Sequence, residues 1–244
     1  MQKIEIFDDV YITSDRCVWY SKKDVIILAD LHLGLEASLR EEGYSIPKIQ
    51  KDRILSRLST IIDKYQPETV VIDGDFKHSF GKNRKQEFYD LLDVIDYLEK
   101  QSELVIIRGN HDNYLKNIAE KRGIVFYENH MILDNITLTH GHKKIDDYDF
   151  LIIGHEHPSL KIRDEMGGLV KIPCFLYNNM NNVLISCAFS PFSGGRDIIS
   201  AKNFISESIN SLEIMDFHVY AVTDSGLMDF QTVGDIREVY PNLS

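Results

Sequence analysis

Five polar clusters in this 244-residue chain each directly follow an apolar run. They are Asp30 with His32, Asp75, Asn110 with His111, His140, and His155 with His157. Taken singly, each has an ordinary reading. Asp30-Leu31-His32 and Asp73-Gly74-Asp75 suit turns, Asn110-His111-Asp112 suits a helix cap, and His140-Gly141-His142 suits a surface loop. One shared placement for all five is hard to reach by that route. Two carboxylates (Asp30, Asp75), one amide oxygen (Asn110) and four imidazoles (His32, His140, His155, His157) suit borderline divalent ions such as Mn²⁺, Fe²⁺ or Zn²⁺, with Ni²⁺ and Co²⁺ behind them. They suit Ca²⁺ and Mg²⁺ less well. No cysteine falls in the clusters, which argues against a structural zinc site. Two ions roughly 3.5–4 Å apart need a bridging carboxylate, and Asp75 is the candidate. Such a pair activates water, orients a phosphoryl group and stabilises charge on the attacking and leaving oxygens.

The elements that must hold these residues can be read from periodicity. Val25-Ile26-Ile27-Leu28-Ala29 is a continuous apolar run of the kind found in strands buried on both faces. Thr69-Val70-Val71-Ile72 and Leu104-Val105-Ile106-Ile107 repeat the signal. Between them, helical spacing predicts helices near 48–65, after Pro47, and over 84–100, with a shorter one over 114–121. The stretch after His32 reads as a polar loop. Residues 4–20 read as two short strands around a polar turn. From 124 onward short strands dominate: 124–127, 130–133, 136–139, 150–153, 174–177 and 183–188. A polar stretch over 200–213 reads as helical, and 217–223 with 227–231 as a hairpin around Asp224-Ser225-Gly226. Strands alternating with helices imply crossover units in a central sheet. The expectation is one domain over 1–244, with two packed sheets and helices outside. Carboxyl ends of such strands converge on one rim, where ligands bind.

Composition narrows the function classes. The formal net charge is −11, against generic duplex binding by a broad basic face. Basic residues near the predicted rim (Arg40, Lys48, Lys51, Lys77, Lys82, Arg84 and Lys85) point the other way, unless they are solvated helix faces. Cys17, Cys174 and Cys187 lack metal or redox spacing and read as buried, reduced thiols of a cytoplasmic protein. The first residues are too polar for a signal peptide, and no apolar run reaches membrane-spanning length.

The blocks Asp30-x-His32, Gly74-Asp75, Gly109-Asn110-His111-Asp112, His140-Gly141 and Gly154-His155-x-His157 occur in order, and together they resemble the calcineurin-like metallophosphoesterases. The resemblance implies an α/β fold, a four-layer α/β/β/α sandwich of two mixed sheets flanked by helices. It implies a dinuclear site: Asp30, His32 and His157 with bridging Asp75 on one ion, and Asn110, His140 and His155 with Asp75 on the other. His111 would contact the phosphate and protonate or stabilise the leaving oxygen, with Asp112 orienting its imidazole. Further segments, Ser38-Leu39-Arg40, Gly74 to Gly81, Gly154 to Pro158 and Ala188 to Gly195, resemble a prokaryotic, largely archaeal branch of small phosphoesterases. Related branches are associated with helicases or DNA ligases, which implies a DNA-repair partner and a nucleic-acid or nucleotide phosphodiester as substrate. Many family members follow Gly-Asp with an apolar pair. Here Phe76-Lys77-His78 brings a cation and another ring, so Lys77 and His78 are either phosphate contacts or supporting groups. Arg108 either stabilises developing charge or pairs with an acid behind the site. The resulting expectation is a phosphodiesterase. The alternatives are a phosphomonoesterase and a non-catalytic metal-binding scaffold, and a calcium module is disfavoured by the imidazoles.

Overall fold

The fold is described from a computed structural model, over residues 1–81, 84–163 and 168–239; Lys82 lies outside these. Seven strands form the first sheet in chain order: β1 (Lys3–Phe7), β2 (Val10–Thr13), β3 (Val18–Tyr20), β4 (Val25–Ala29), β5 (Thr69–Asp73), β6 (Glu103–Ile107) and β7 (Val125–Tyr127). The first three connections are antiparallel and the last three parallel, so the sheet is mixed. All five residues of β4 are buried, as a run covered on both faces requires. The helices α1 (Leu35–Glu41), α2 (Gln50–Tyr65), α3 (Lys85–Glu99) and α4 (Leu115–Arg122) complete this half. Ile54, Leu58 and Ile61 of α2 and Leu91, Val94 and Ile95 of α3 share one core with Ile26, Leu28, Val70 and Ile72.

The second sheet contains β8 (His130–Leu133), β9 (Ile136–Thr139), β10 (Phe150–Ile153), β11 (Pro158–Arg163), β12 (Leu169–Asn178), β13 (Val183–Ile185), β14 (Arg196–Asp197), β15 (His218–Thr223) and β16 (Gly226–Thr232). It too is mixed, with β9, β10 and β13 parallel. The inner faces meet in a second core, where Ile27, Val71 and Ile107 face Leu138, Phe150 and Ile152. The fold is therefore two mixed sheets flanked by helices. On the outer face of the second sheet the cover is one helix, α5 (Val233–Val239), and the irregular segment carrying Ile198, Phe204, Ile209 and Phe217.

Several expectations change. The polar turn between the first two strands contains β2, whose Val10, Ile12 and Thr13 are buried. The loop after His32 contains α1, held by polar burial: the Glu36 carboxylate accepts from the N–H of Ile49 at 2.8 Å and of Gln50 at 2.9 Å. Residues 200–213 are a succession of turns. Their apolar groups lie over the sheet without helical period, and the Ile205 and Ser206 N–H groups bond the Glu156 carboxylate instead of a helical carbonyl. Strands β11 and β14 and helix α5 carry no expectation from sequence, and β12 is longer than its apolar half.

Candidate metal centre

Register brings the polar clusters together. In the first sheet Ala29, Asp73 and Ile107 are level across three parallel strands, so Asp30, Asp75 and Asn110 emerge at one rim. In the second, Thr139 is level with Ile153, which sets His140 beside the loop carrying His155 and His157. The sheets are tied at this rim, where the His155 N–H donates to Asp30 Oδ2 at 3.1 Å. Gly74 and Gly109 are required here by space. A Cβ at Gly74 would lie 2.3 Å from the His140 ring, and one at Gly109 would lie 2.1 Å from the Asp75 nitrogen.

Two groups of side chains converge, each with ligand atoms within 4.8 Å of one another: Asp30, His32, Asp75 and His157, and Asp75, His140 and His155. Asp75 belongs to both. His157 Nε2 is 3.0 Å from Asp30 Oδ1 and 3.2 Å from His32 Nε2. On the other side of Asp75, His140 Nε2 lies 3.4 Å from its Oδ2, 3.0 Å from Asn110 Oδ1 and 3.2 Å from His155 Nδ1. Nitrogen and oxygen lone pairs crowd together without enough hydrogens to pair them, and a cation is what such a donor set fits. Asp30, His32, Asp75, His155 and His157 all have positive φ, between 44° and 65°. That backbone is costly, and Asp, Asn and His tolerate it better than other non-glycine residues.

Electrostatics fit the same use. Burial opposes ionisation of Asp75, yet His140, His32 and His111 hold its carboxyl well below the usual range. Asp30 is lowered too, against its burial, chiefly by His157. Burial pushes the His32 imidazole down to about 3 and His155 down to about 4, so both are neutral at neutral pH, with one ring nitrogen of each free of a proton. Burial lowers His140 and His157 as well, but carboxylates outweigh it: Asp75 leads the rise of His140 to about 10, and Asp30 that of His157. Those protons occupy the lone pairs that a metal would take.

A profile of the calcineurin-like phosphoesterases matches residues 23–166, which span every cluster in both groups. The chain belongs to this family. Among solved structures it is similar to the Pseudomonas putida nuclease MPE, at 21% identity over 94% of this chain and 99% of that one, with a TM-score of 0.70. A weaker likeness, TM-score 0.38 at 15% identity over 70% of this chain and 83% of the other, is to the E. coli phosphoesterase Yfce. No curated protein matches. The first likeness shows that this phosphoesterase shares the fold of that nuclease.

Within the phosphoesterase, His111 stands at the edge of the two groups. Its Nε2 is 3.7 Å from Asp75 Oδ2, and its backbone N–H donates to Asp75 Oδ1 at 2.9 Å. The ring faces an open cleft of about 580 Å³ shared with Ser38, His78, Phe80 and Arg84. His32, His78 and His111 form a third group with metal-compatible spacing.

Asp112, Lys77 and Arg108 each have partners within the protein. Asp112 does not touch the His111 ring. Its buried carboxylate accepts from the N–H of Gly109 at 2.8 Å and of Lys77 at 3.3 Å, because the turn after β6 folds it back under the site. The His111 Nδ1 instead abuts the carbonyl oxygen of His78. Lys77 is buried and its ammonium group contacts the Ser79 carbonyl, the supporting alternative. Arg108 pairs with Glu128 at 3.0 Å and donates to Asn113 Oδ1 at 3.2 Å, the acid-paired alternative. Of Arg108, Lys77 and His78, the residues named for the substrate, only His78 lines the cleft with His111.

Supporting residues escaped the sequence reading. Gln50 is buried; its Nε2 donates to His32 O at 2.8 Å and its Oε1 accepts from Gly34 N at 3.2 Å, holding the first ligand loop against α2. Ser193 Oγ lies 3.1 Å from His157 Nδ1 and fixes that ring. Asp73 is buried with neither carboxyl oxygen hydrogen-bonded. Burial pushes it up to about 8, His140 opposing the rise and Asp30 adding to it. No spacing rule points to Gln50, Ser193 or Asp73, whose partners lie in other parts of the chain.

Proposed function

We propose that this calcineurin-like phosphoesterase is a phosphodiesterase with a dinuclear centre, Mn²⁺ first among the candidate ions, acting on nucleic acid or nucleotides. The single observation that carries the reading is Asp75, shared by two converging ligand groups with His111 beside it on the open side. Asp30, His32, Asp75 and His157 would hold one ion, and Asp75, Asn110, His140 and His155 the other. Bound ions would supply Lewis-acid stabilisation of the phosphoryl group and activate water at neutral pH.

The chain's own residues do the rest. The His78 carbonyl can only accept, so the His111 Nδ1 carries a proton there. To act as an acid, His111 must then be the imidazolium, with its second proton on Nε2, the nitrogen nearer Asp75. From there it can be given to a leaving oxygen in the cleft. Phe80, its ring centroid 3.6 Å from that of His111, limits the imidazole's swing and narrows the solvent side. A diester, with a leaving ester group on one side of phosphorus and a retained one on the other, uses this flanking cleft better than a monoester. The fold shared with a nuclease makes nucleic acid the first class to test.

The deciding experiment is a panel of aryl monoesters, aryl diesters, cyclic nucleotides, DNA and RNA, each with Mn²⁺, Fe²⁺, Zn²⁺, Ni²⁺ and Co²⁺, alongside metal analysis. Diester turnover exceeding monoester turnover supports the reading. The reverse order makes the protein a phosphomonoesterase. Two bound ions with no turnover of any ester would leave a metal-binding scaffold.

A further inference from the structure

Most basic residues expected at the rim are already engaged. Lys48 and Lys51 pair with Asp90, Arg84 pairs with Glu41, and Arg40 donates to Gln86. Three arginines elsewhere differ. Arg16, Arg53 and Arg57 form no ion pair with any described residue. Arg57 Nη1 donates to Phe189 O at 2.8 Å, Arg16 Nη1 lies 3.5 Å from Ser190 O, and the Arg53 guanidinium sits 5.9 Å from the centre of the Phe192 ring. Burial, then the charges of Arg16 and Arg53, pull Arg57 down to about 10, as expected for cations gathered without a counter-charge.

Arg16 and Arg57 line a cavity of about 240 Å³ together with the hydroxyl-bearing residues Ser14, Thr60 and Thr223. Two carboxylates also line it. Asp15 is taken up by Lys64 at 2.7 Å and Tyr65 at 2.9 Å, and Asp224 makes no ion pair with the arginines. The sheets place this cavity on the same rim as the metal-ligand groups. β3 runs antiparallel to β4, so the turn before Val18 lies at the carboxyl end of β4, where Asp30 begins. β15 and β13 both run antiparallel to β12, so Thr223 lies at the end that follows Ile185 and Ile153. Neighbouring strands are about 4.8 Å apart, which makes the cavity a near neighbour of the metal-ligand loops. The chain between them is direct. Phe189 N donates to Ala29 O and Ser190 N to Asp30 O, while both carbonyls of that pair face the arginines.

We propose that the Ser14, Arg16, Arg57, Thr60 and Thr223 cavity is a second phosphate site, which holds a phosphate of a nucleic-acid strand whose reacting phosphate lies at the metal-ligand groups. The inference rests on the phosphodiesterase reading above. The hydroxyls of Ser14, Thr60 and Thr223 already donate to Gln2 Oε1, Ser56 O and Gly226 O, so the remaining N–H groups of Arg16 and Arg57 are the donors that phosphate oxygens would take, and a net-acidic protein can hold a polyanion only through such a local patch.

The test uses the full chain carrying His111→Ala to slow cleavage, with a labelled single-stranded oligonucleotide bound over a salt series. Arg16→Gln with Arg57→Gln should weaken binding at low salt about tenfold. It should also flatten the log–log salt slope by about 0.7, the value of one single-strand phosphate contact. Arg16→Lys with Arg57→Lys should recover most of both. In the His111 background the ratio of kcat/KM for the oligonucleotide to that for an aryl diester should fall about tenfold in the glutamine pair. Equal loss in the glutamine and lysine pairs would make the arginines struts for residues 189–190 and overturn the site. So would an unchanged slope, or inorganic phosphate competing as well as the strand at equal phosphate concentration. Strand binding with the expected slope but no diester cleavage by the unmutated chain sinks the phosphodiesterase reading alone. Cleavage of small diesters with no change in strand binding sinks the second site alone.

Discussion

At the residue scale the side chains that converge at the rim were legible because metal chemistry restricts residue types so strongly. Asp30, His32, Asp75, Asn110, His140, His155 and His157 were all readable, since each directly follows an apolar run. Replacing Asp75 by Asn keeps the backbone preference and removes the charge shared by both groups. Metal analysis of the folded variant should show both ions lost, and two retained ions would defeat the shared role. His111→Ala should lower kcat by about 10²–10⁴, the usual worth of a positioned acid, with metal content unchanged. Metal loss in that variant would make His111 a ligand, as its grouping with His32 and His78 allows. The partners of these residues were not legible. Asp112 was read as the group that orients His111, but a carboxylate three residues after Gly109 can equally fold back onto that residue's N–H, and it does. Sequence spacing says that two groups are near and leaves open which lone pair meets which hydrogen.

At the element scale the parallel strands and long helices were readable, because continuous apolar runs and 3.6-residue periodicity report burial directly. What was missed is held by polar burial. Helix α1 turns on Glu36 and Gln50, and the segment after β14 turns on Glu156. The sequence reading gave Glu156, between two ligands, no role. Its carboxylate accepts from Ile205 N at 2.7 Å, Ser206 N at 2.8 Å and Arg196 Nη1 at 3.0 Å. Glu156→Ala should cost about 1–3 kcal/mol, because it leaves the buried Ser206 N–H without its acceptor, while Arg196 keeps the Asn203 carbonyl. Amide exchange at Ile205 and Ser206 should rise well beyond that in the rest of the chain. Unchanged exchange there would mean that apolar packing alone fixes the segment.

For the whole molecule, we propose that residues 1–244 fold as one unit, since Phe150 and Ile152 pack against Ile27 and Val71 across the two sheets. Among the described residues no helix is long and apolar enough to cross a membrane. The three cysteines are buried and unpaired, and burial pushes the Cys187 thiol up to about 12. Thiol reagents should therefore find almost no reactive group in the native protein and three after unfolding; fast native labelling would contradict the packing. We propose that metal binds the folded rim far better than the unfolded chain. Ion at 100 times its Kd should then add about 2.7 kcal/mol, and chelation should lower Tm in a single transition. Two separate transitions would divide the sheets into independent units.

The left-handed backbone at five candidate ligand positions also governs how this protein can change. Asp, Asn, His and Gly are the residues that accept such a conformation at least cost, and three of them carry metal-binding atoms. Asp30, His32, His155 and His157 can therefore exchange among that alphabet while the backbone keeps its path, whereas Asp75, shared by both groups, cannot lose its charge. The hardness and charge of the donor set, and with them the preferred ion, can drift by single substitutions. The fold thus separates the inheritance of the rim from the inheritance of the metal that it would hold.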